Sequence, residues 1–178
     1  MSSCSLHPFE AMKLTKLGDE AYQNEDFIGA ETYHKKSYDL SQDEGVLLKL
    51  GNDYYADKKY EDAASVYGQV QSQDMQHEAI WWHNLGNTEY RLGEGETDTE
   101  KKIQYWKQSI ASYEASLAIE EKDTTQENKA FVEEKLKELE EQEQQQSEEN
   151  KKSGEDTEGW GEQNGDNQEQ TGSGETDT

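Results

Sequence analysis

Three glycines at one register constrain the fold of this chain more than any other feature. They occur in Leu14-Thr15-Lys16-Leu17-Gly18-Asp19, Leu47-Leu48-Lys49-Leu50-Gly51-Asn52 and Trp82-His83-Asn84-Leu85-Gly86-Asn87. The steps from Gly18 to Gly51 to Gly86 are 33 and 35 residues. A recurrence of this length marks an array of helix pairs, each too small to bury its apolar face alone and stable only when stacked. A glycine inside a helix costs about 1 kcal/mol against alanine. Three of them at one position therefore predict that a partner helix approaches closely enough to offset the cost.

The apolar spacing supplies the helices of each repeat. In the first, helix 11–24 carries Leu14, Leu17, Ala21 and Tyr22 on one face. After a turn at residues 23–26, helix 27–40 follows, with Ala30, Tyr33 or His34, Ser37 and Leu40 as its stripe; Gly29 and Ala30 predict close approach to its partner. The second repeat, 44–77, carries Leu47, Leu50, Tyr54 and Tyr55, then Tyr60, Ala63, Ala64, Tyr67 and Val70. The third starts at Ala79 and breaks the period, because its Ser109-Ile110-Ala111-Ser112-Tyr113 arrives late by the length of an insertion, Glu94–Gln104. A short Gly93-Glu94-Gly95 loop is expected there, followed by a lengthened helix 98–120 capped by Thr97, with Glu100 completing a capping box. Asp123-Thr124-Thr125 caps a last helix, 126–142, whose single stripe of Phe131, Val132, Leu136 and Leu139 suits the open end of an array. Trp81, Trp82 and Trp106 are read as packing residues, and His34 as a filler between helices.

Charge divides the chain unevenly. The formal net charge is −24. From Glu141 onward there are 12 acidic residues against 2 lysines, or −10, which leaves −14 for the stretch from Met1 to Glu140. Trp160 is the one large apolar residue after Glu141, so this stretch cannot offset chain entropy by burial and is read as disordered. The organisation expected is an N-terminal segment, 1–10; a repeat domain, 11–142, made of 11–43, 44–77, 79–122 and a capping helix 124–142; and an acidic Gln/Glu/Gly-rich tail, 143–178. The tail either solubilises the chain or engages a basic partner with Trp160 as an anchor.

The acidity excludes nucleic acid as the main partner, since phosphate binding needs a basic face, and disfavours an anionic membrane surface. Cys4 is the single cysteine, so an internal disulfide is impossible, and it reads as a surface thiol. No secretory leader and no apolar run of membrane-spanning length is read, which points to a cytoplasmic protein without direct membrane insertion. His7, His34, His77 and His83 lie in different elements without metal-ligand spacing, and no phosphate loop or nucleophile motif occurs. The chain is read as a non-enzyme without metal or cofactor.

The repeats resemble the tetratricopeptide family over roughly 11–120. Repeat three matches at Trp82, Leu85, Gly86, Tyr90, Tyr113 and Leu117; repeat two at Leu47, Leu50, Gly51, Tyr54, Ala63 and Tyr67. Repeat one has His34 and Ser37 where an aromatic and an alanine are usual, and Gln42, Met75 and Glu121 replace the prolines expected between repeats. The resemblance implies an all-α solenoid of three helix–turn–helix repeats plus a capping helix. A narrower resemblance covers Asn84–Gly93, the helix 105–119, Glu127–Leu136 and the Gln/Glu-rich tail. These are similar, in that order, to the tetratricopeptide proteins of bacterial aerotolerance (Bat) operons. That likeness implies a von Willebrand factor A domain protein as partner and a location at the cell envelope or periplasm.

First helices line the concave side of such an array. Asn52 and Asn87 follow the glycine in adjacent repeats, and an amide that both donates and accepts can pair with the backbone of an extended peptide, the role that resemblance to peptide-binding members gives them; the alternative is a solvated helix face with hydrogen bonds between repeats. Tyr55 and Tyr90 lie three residues on, beside Arg91, with Lys49, His83 and Asn84 on the same or a neighbouring face. Thr15, Leu48 and His83 stand where a lysine would begin a carboxylate clamp, so chaperone C-terminal tails are not expected as ligands. The expected function is a protein-interaction scaffold or adaptor acting through this groove. The alternatives are a co-chaperone-like assembly factor and a structural array that self-associates.

Overall fold

A computed structural model describes residues 7–69 and 75–158. Seven helices run through them: α1 (His7–Gln23), α2 (Phe27–Ser41), α3 (Glu44–Ala56), α4 (Tyr60–Tyr67), α5 (Met75–Gly95), α6 (Thr99–Ile119) and α7 (Asp123–Glu158). Among the described residues there is no strand. Two compact units emerge, Met1–Glu138 and Leu139–Thr178. In the first, each helix from α1 to α5 packs on the next, and α3 also meets α5, the pattern of stacked helix pairs. The described part of the second unit is the continuation of α7, with residues 141–150 exposed.

Each register glycine lies under an aromatic ring of the following helix. A Cβ on Gly18 would sit 2.4 Å from the His34 ring, one on Gly51 2.4 Å from Tyr67, and one on Gly86 2.7 Å from Tyr113. All three rings are buried. The helix cost of each glycine is thus offset by close packing of a large side chain. Small hydroxyls tie two of these pairs, α1–α2 and α5–α6: Ser37 donates to the Ala11 carbonyl at 2.8 Å, Ser109 to Gly86 at 2.7 Å and Ser116 to Ala79 at 2.8 Å. The main cluster joins Leu47, Leu50, Ala63, Val66 and Tyr67 to Trp81, which stacks on Trp82 with ring centroids 4.9 Å apart. Trp106 is buried against Tyr90 and donates its indole N–H to the Tyr90 carbonyl at 3.3 Å.

The turns repeat in two of the repeats and explain one departure from the tetratricopeptide pattern. Glu25 and Lys58 are separated by the same step as Gly18 and Gly51, and both have positive φ (60° and 61°), closing the same tight turn in repeats one and two. Gln42, in the place of a boundary proline, caps α2 at φ 53°, with its N–H on the Tyr38 carbonyl. The proline ring locks φ at a negative value and leaves no N–H, so proline could not occupy that conformation.

Several boundaries differ from those read in the sequence. α1 begins at His7 and α5 at Met75, while α4 ends at Tyr67; Val70 lies outside the described residues. Gly93-Glu94-Gly95 is helix, not loop, because Gly93 is another packing glycine: its Cβ would meet the Trp106 indole at 2.5 Å. The insertion therefore lengthens α5 as well as α6. Asp98, not Thr97, is the N-cap of α6, accepting from the N–H groups of Glu100 and Lys101 at 3.0 and 3.2 Å. Gly29 abuts the N-cap carboxylate of Asp26, not a neighbouring helix. The last helix does not stop at Gln142 but continues to Glu158, through a stretch rich in Glu, Gln and Lys, all good helix formers. The rest of the predicted acidic tail, 159–178 with Trp160, and Cys4 lie outside the described residues.

Candidate functional site

Where three helices meet, the same polar junction is built three times. In the middle one, the Asn52 side-chain oxygen accepts the Tyr67 hydroxyl at 2.6 Å and the Asn84 amide at 2.8 Å. In the next, the Asn87 oxygen accepts the Tyr113 hydroxyl at 2.7 Å and the Asn128 amide at 3.0 Å. In the first, Asp19 stands in the asparagine's place, His34 in the tyrosine's and Lys49 in the second asparagine's. Lys49 Nζ lies 2.5 Å from Asp19 Oδ1, and His34 Nε2 lies 3.3 Å from it. The accepting residue comes from the helix that carries the glycine, the aromatic ring from its partner and the third group from the helix after that; the ring donates a hydrogen bond in the two tyrosine junctions, not at His34. Burial raises the Tyr67 and Tyr113 hydroxyls well above the ordinary phenol value, so both stay protonated and donate.

With their oxygens held by two donors each, Asn52 and Asn87 keep their NH2 groups without a partner among the described residues. They line two adjoining cavities. One, of about 260 Å³, is bounded by Tyr22, Asn52, Tyr55, Tyr67, Asn84 and Asn87. The other, of about 280 Å³, shares Tyr55 and Asn87 and adds Tyr90, Arg91, Asn128 and Phe131 over a floor of buried Val132. Six predicted residues are thus brought together: Asn52, Tyr55, Asn84, Asn87, Tyr90 and Arg91. The Arg91 guanidinium pairs with Glu94 at 2.5 Å, and the Tyr90 hydroxyl donates to the same carboxylate at 2.8 Å. Burial and Glu94 push the Tyr90 hydroxyl up to about 12.

Lys49 and His83 line other cavities. Lys49 is ion-paired with Asp19 and borders a cavity of about 510 Å³ with Met12, Thr15 and Ser37. His83 faces α7, with Nδ1 2.8 Å from the Thr125 hydroxyl, in a cavity of about 240 Å³ that also includes Ile80 and Lys122. Burial, aided by Lys122, holds its imidazole below the ordinary histidine value.

Six groove residues escape the binding set read from the sequence: Tyr22, Tyr67, Tyr113, Asn128, Phe131 and Val132. Tyr22 stands at the register of Tyr55 and Tyr90, one Gly18-to-Gly51 step before Tyr55, which is a legible signal. Asn128 follows Asn84 by that same step plus the length of the insertion, so α7 repeats the register of a first helix instead of only closing the end. Of the exposed large apolar side chains, Met12, Tyr22, Ile80 and Phe131 all border these four cavities. No group of three or more His, Cys, Asp or Glu among the described residues could hold a metal ion. No helix among them is long and apolar enough to cross a membrane.

No family model and no curated protein matches the chain. Among solved structures it is similar to the TPR2AB domain of yeast Sti1 in complex with pHSP90, at 24% identity and a TM-score of 0.59. The match covers 73% of this chain and 48% of that one, so the chain spans about half the length of that structure. With the helix order and the recurrent glycine contacts, that likeness shows the fold: an all-α solenoid of tetratricopeptide-like helix pairs.

Proposed function

We propose that this chain is a protein-interaction adaptor that holds an extended peptide segment of a partner in the groove formed by the two adjoining cavities. The observation that carries this reading is the pinning of Asn52 and Asn87. Each amide oxygen is fixed by a tyrosine and a second asparagine, leaving an oriented NH2 to donate to a peptide carbonyl. Donors held in place before binding lose little entropy when the ligand arrives. The exposed rings of Tyr22 and Phe131 give the groove apolar walls in a chain that is otherwise strongly polar. The likeness to a tetratricopeptide domain solved as a complex with pHSP90 supports a protein or peptide partner. For the partner class, the support is the C-terminal resemblance to aerotolerance-operon proteins, which points to a von Willebrand factor A domain protein.

The decisive variant is Asn52→Asp/Asn87→Asp. An aspartate keeps the oxygen that Tyr67 and Tyr113 need and removes the NH2; alanine would strip a buried hydroxyl of its acceptor and cost about 1–3 kcal/mol at each site. Affinity capture from native extract would compare the intact chain, this variant, Arg91→Ala, and a chain stopped after Gln142. The groove reading expects one protein to be captured by the intact and shortened chains and lost from the Asn→Asp variant. A von Willebrand factor A protein in that band establishes the finer reading; a set of unrelated proteins sharing one terminus would favour an assembly factor. Capture that survives Asn→Asp but fails in the shortened chain sinks the groove and assigns binding to the acidic segment.

A further inference from the structure

The lengthening of α5 and α6 creates a cavity outside the groove. It measures about 490 Å³ and opens between Tyr60 and Glu61 of α4, Arg91, Leu92, Glu94 and Gly95 at the end of α5, Glu96, and Tyr105 of α6. Glu94, Gly95 and Glu96 belong to the insertion, and Tyr105 follows it directly. The cavity adjoins the groove: Arg91 lines both, and the Tyr55 ring on the groove side meets the Tyr60 ring on the cavity side edge-on, with centroids 5.5 Å apart.

The lining defines the chemistry it can accept. Arg91 is neutralised by Glu94, so an anion finds no free positive charge there. One Glu96 carboxylate oxygen accepts the Thr97 and Asp98 N–H groups at 2.9 and 3.1 Å. Glu61 is exposed and has no ion pair or hydrogen bond among the described residues, so its charge is open. Aromatic faces attract cations, and rings flanking the insertion already show that preference: Lys102 lies over Trp106 at 6.0 Å and Arg91 over Tyr90 at 5.9 Å. Three carboxylates against one guanidinium leave the cavity negative, in a chain of net charge −24 that draws in cationic segments.

We propose that this cavity receives a lysine or arginine side chain of the peptide held in the groove, entering over the Tyr55–Arg91 ridge between the Tyr60 and Tyr105 rings and towards Glu61. The proposal rests on the groove reading and adds a fixed basic position to the partner's sequence. The test is a selection from a random peptide display library on the full chain. A selected peptide and its Lys/Arg→Gln counterpart are then titrated against the intact chain and against Glu61→Gln/Tyr105→Leu. Glu61 is exposed, so Glu61→Gln alone serves as a variant that keeps the fold.

Selected peptides should carry a basic residue at a constant distance from the groove-binding segment. Its replacement by Gln should weaken binding to the intact chain about five- to thirty-fold, and to the double variant less than about twofold. An equal loss on both proteins overturns the cavity assignment. Peptides selected without a fixed basic position overturn it as well, while leaving the groove standing. Selection of no peptide at all overturns both.

Discussion

Glu89 offers a test of the packing that needs no partner. It lies on α5, facing α6, where its Oε2 accepts the hydroxyl of buried Ser112 at 2.6 Å. Burial lifts its carboxyl from the ordinary 4.5 to about 7, and the Ser112 hydrogen bond opposes part of that rise. Folded Glu89 therefore keeps its proton up to about pH 7, whereas the unfolded side chain releases it near 4.5. Between those values folding takes up a proton, so stability falls as pH rises; above the folded value the penalty is constant. The full penalty is on the order of 3 kcal/mol, reached by about pH 8, with about 1 kcal/mol already present at pH 5. Glu89→Gln retains an oxygen for Ser112 and removes the ionisation. It should stabilise the chain by about 2 kcal/mol more at pH 8 than at pH 5. Urea midpoints followed by tryptophan fluorescence between pH 5 and 8 would read this directly. Removing one carboxylate from so acidic a chain also relieves general repulsion, so exposed Glu10→Gln is the control. A gain from Glu89→Gln that is the same at every pH, or no larger than the Glu10→Gln gain, would refute the α5–α6 packing inferred around this carboxyl.

Two further perturbations address the repeat geometry. Gly51→Ala and Gly86→Ala place a methyl 2.4 and 2.7 Å from buried tyrosine rings, so each should lose about 1–2 kcal/mol in thermal melts despite the better helix propensity. Gly95→Ala meets nothing within 4 Å and should be neutral or stabilising by up to about 1 kcal/mol; loss of the contrast would mean the rings do not cover the register glycines. Asp53 is buried and bonds His34 Nδ1 at 2.6 Å, and burial raises its carboxyl above the usual range. Asp53→Ala leaves that ring without its acceptor and should cost about 3–5 kcal/mol in urea unfolding, with Asp53→Asn much milder; equal small losses would show that the pair is not a structural link.

The fold was legible because its main determinant is local and periodic. A glycine under a ring recurs at fixed spacing, and the ring itself falls at a predictable place, as Gly51 and Tyr67 show. What misled was one residue type with two uses. Gly93 has the same packing role as Gly86, but beside Gly95 and a run of acidic residues it reads as a turn; only the distant Trp106 makes it helical. The candidate site divides along the same line. Tyr55, Tyr90, Asn52 and Asn87 follow from register. Lys49 and His83 share the surface by helical spacing, yet each is turned to a group on another helix, Asp19 and Thr125, that spacing within one helix does not reveal.

Comparing the three junctions shows why the groove lies where it does. In repeat one the positions are filled by Asp19, His34 and Lys49, with Asp53 on the far side of His34. There the lysine ends on the aspartate, and the histidine lies between two carboxylates, with His34 Nε2 and Asp53 Oδ1 buried and without a hydrogen-bond partner among the described residues. Such a junction links α1, α2 and α3 and has no amide NH2 at the accepting position. Substituting amides and tyrosines, as at Asn52, Tyr67 and Asn84 and again at Asn87, Tyr113 and Asn128, keeps the geometry and redistributes the hydrogens. One oxygen satisfies two donors, and the NH2 of the accepting asparagine is left over. The neutral junctions also avoid the desolvation penalty that buried ions incur. The proposed peptide groove therefore lies where the junctions are neutral, over α3, α5 and the start of α7, and the ionic junction stands at the first repeat.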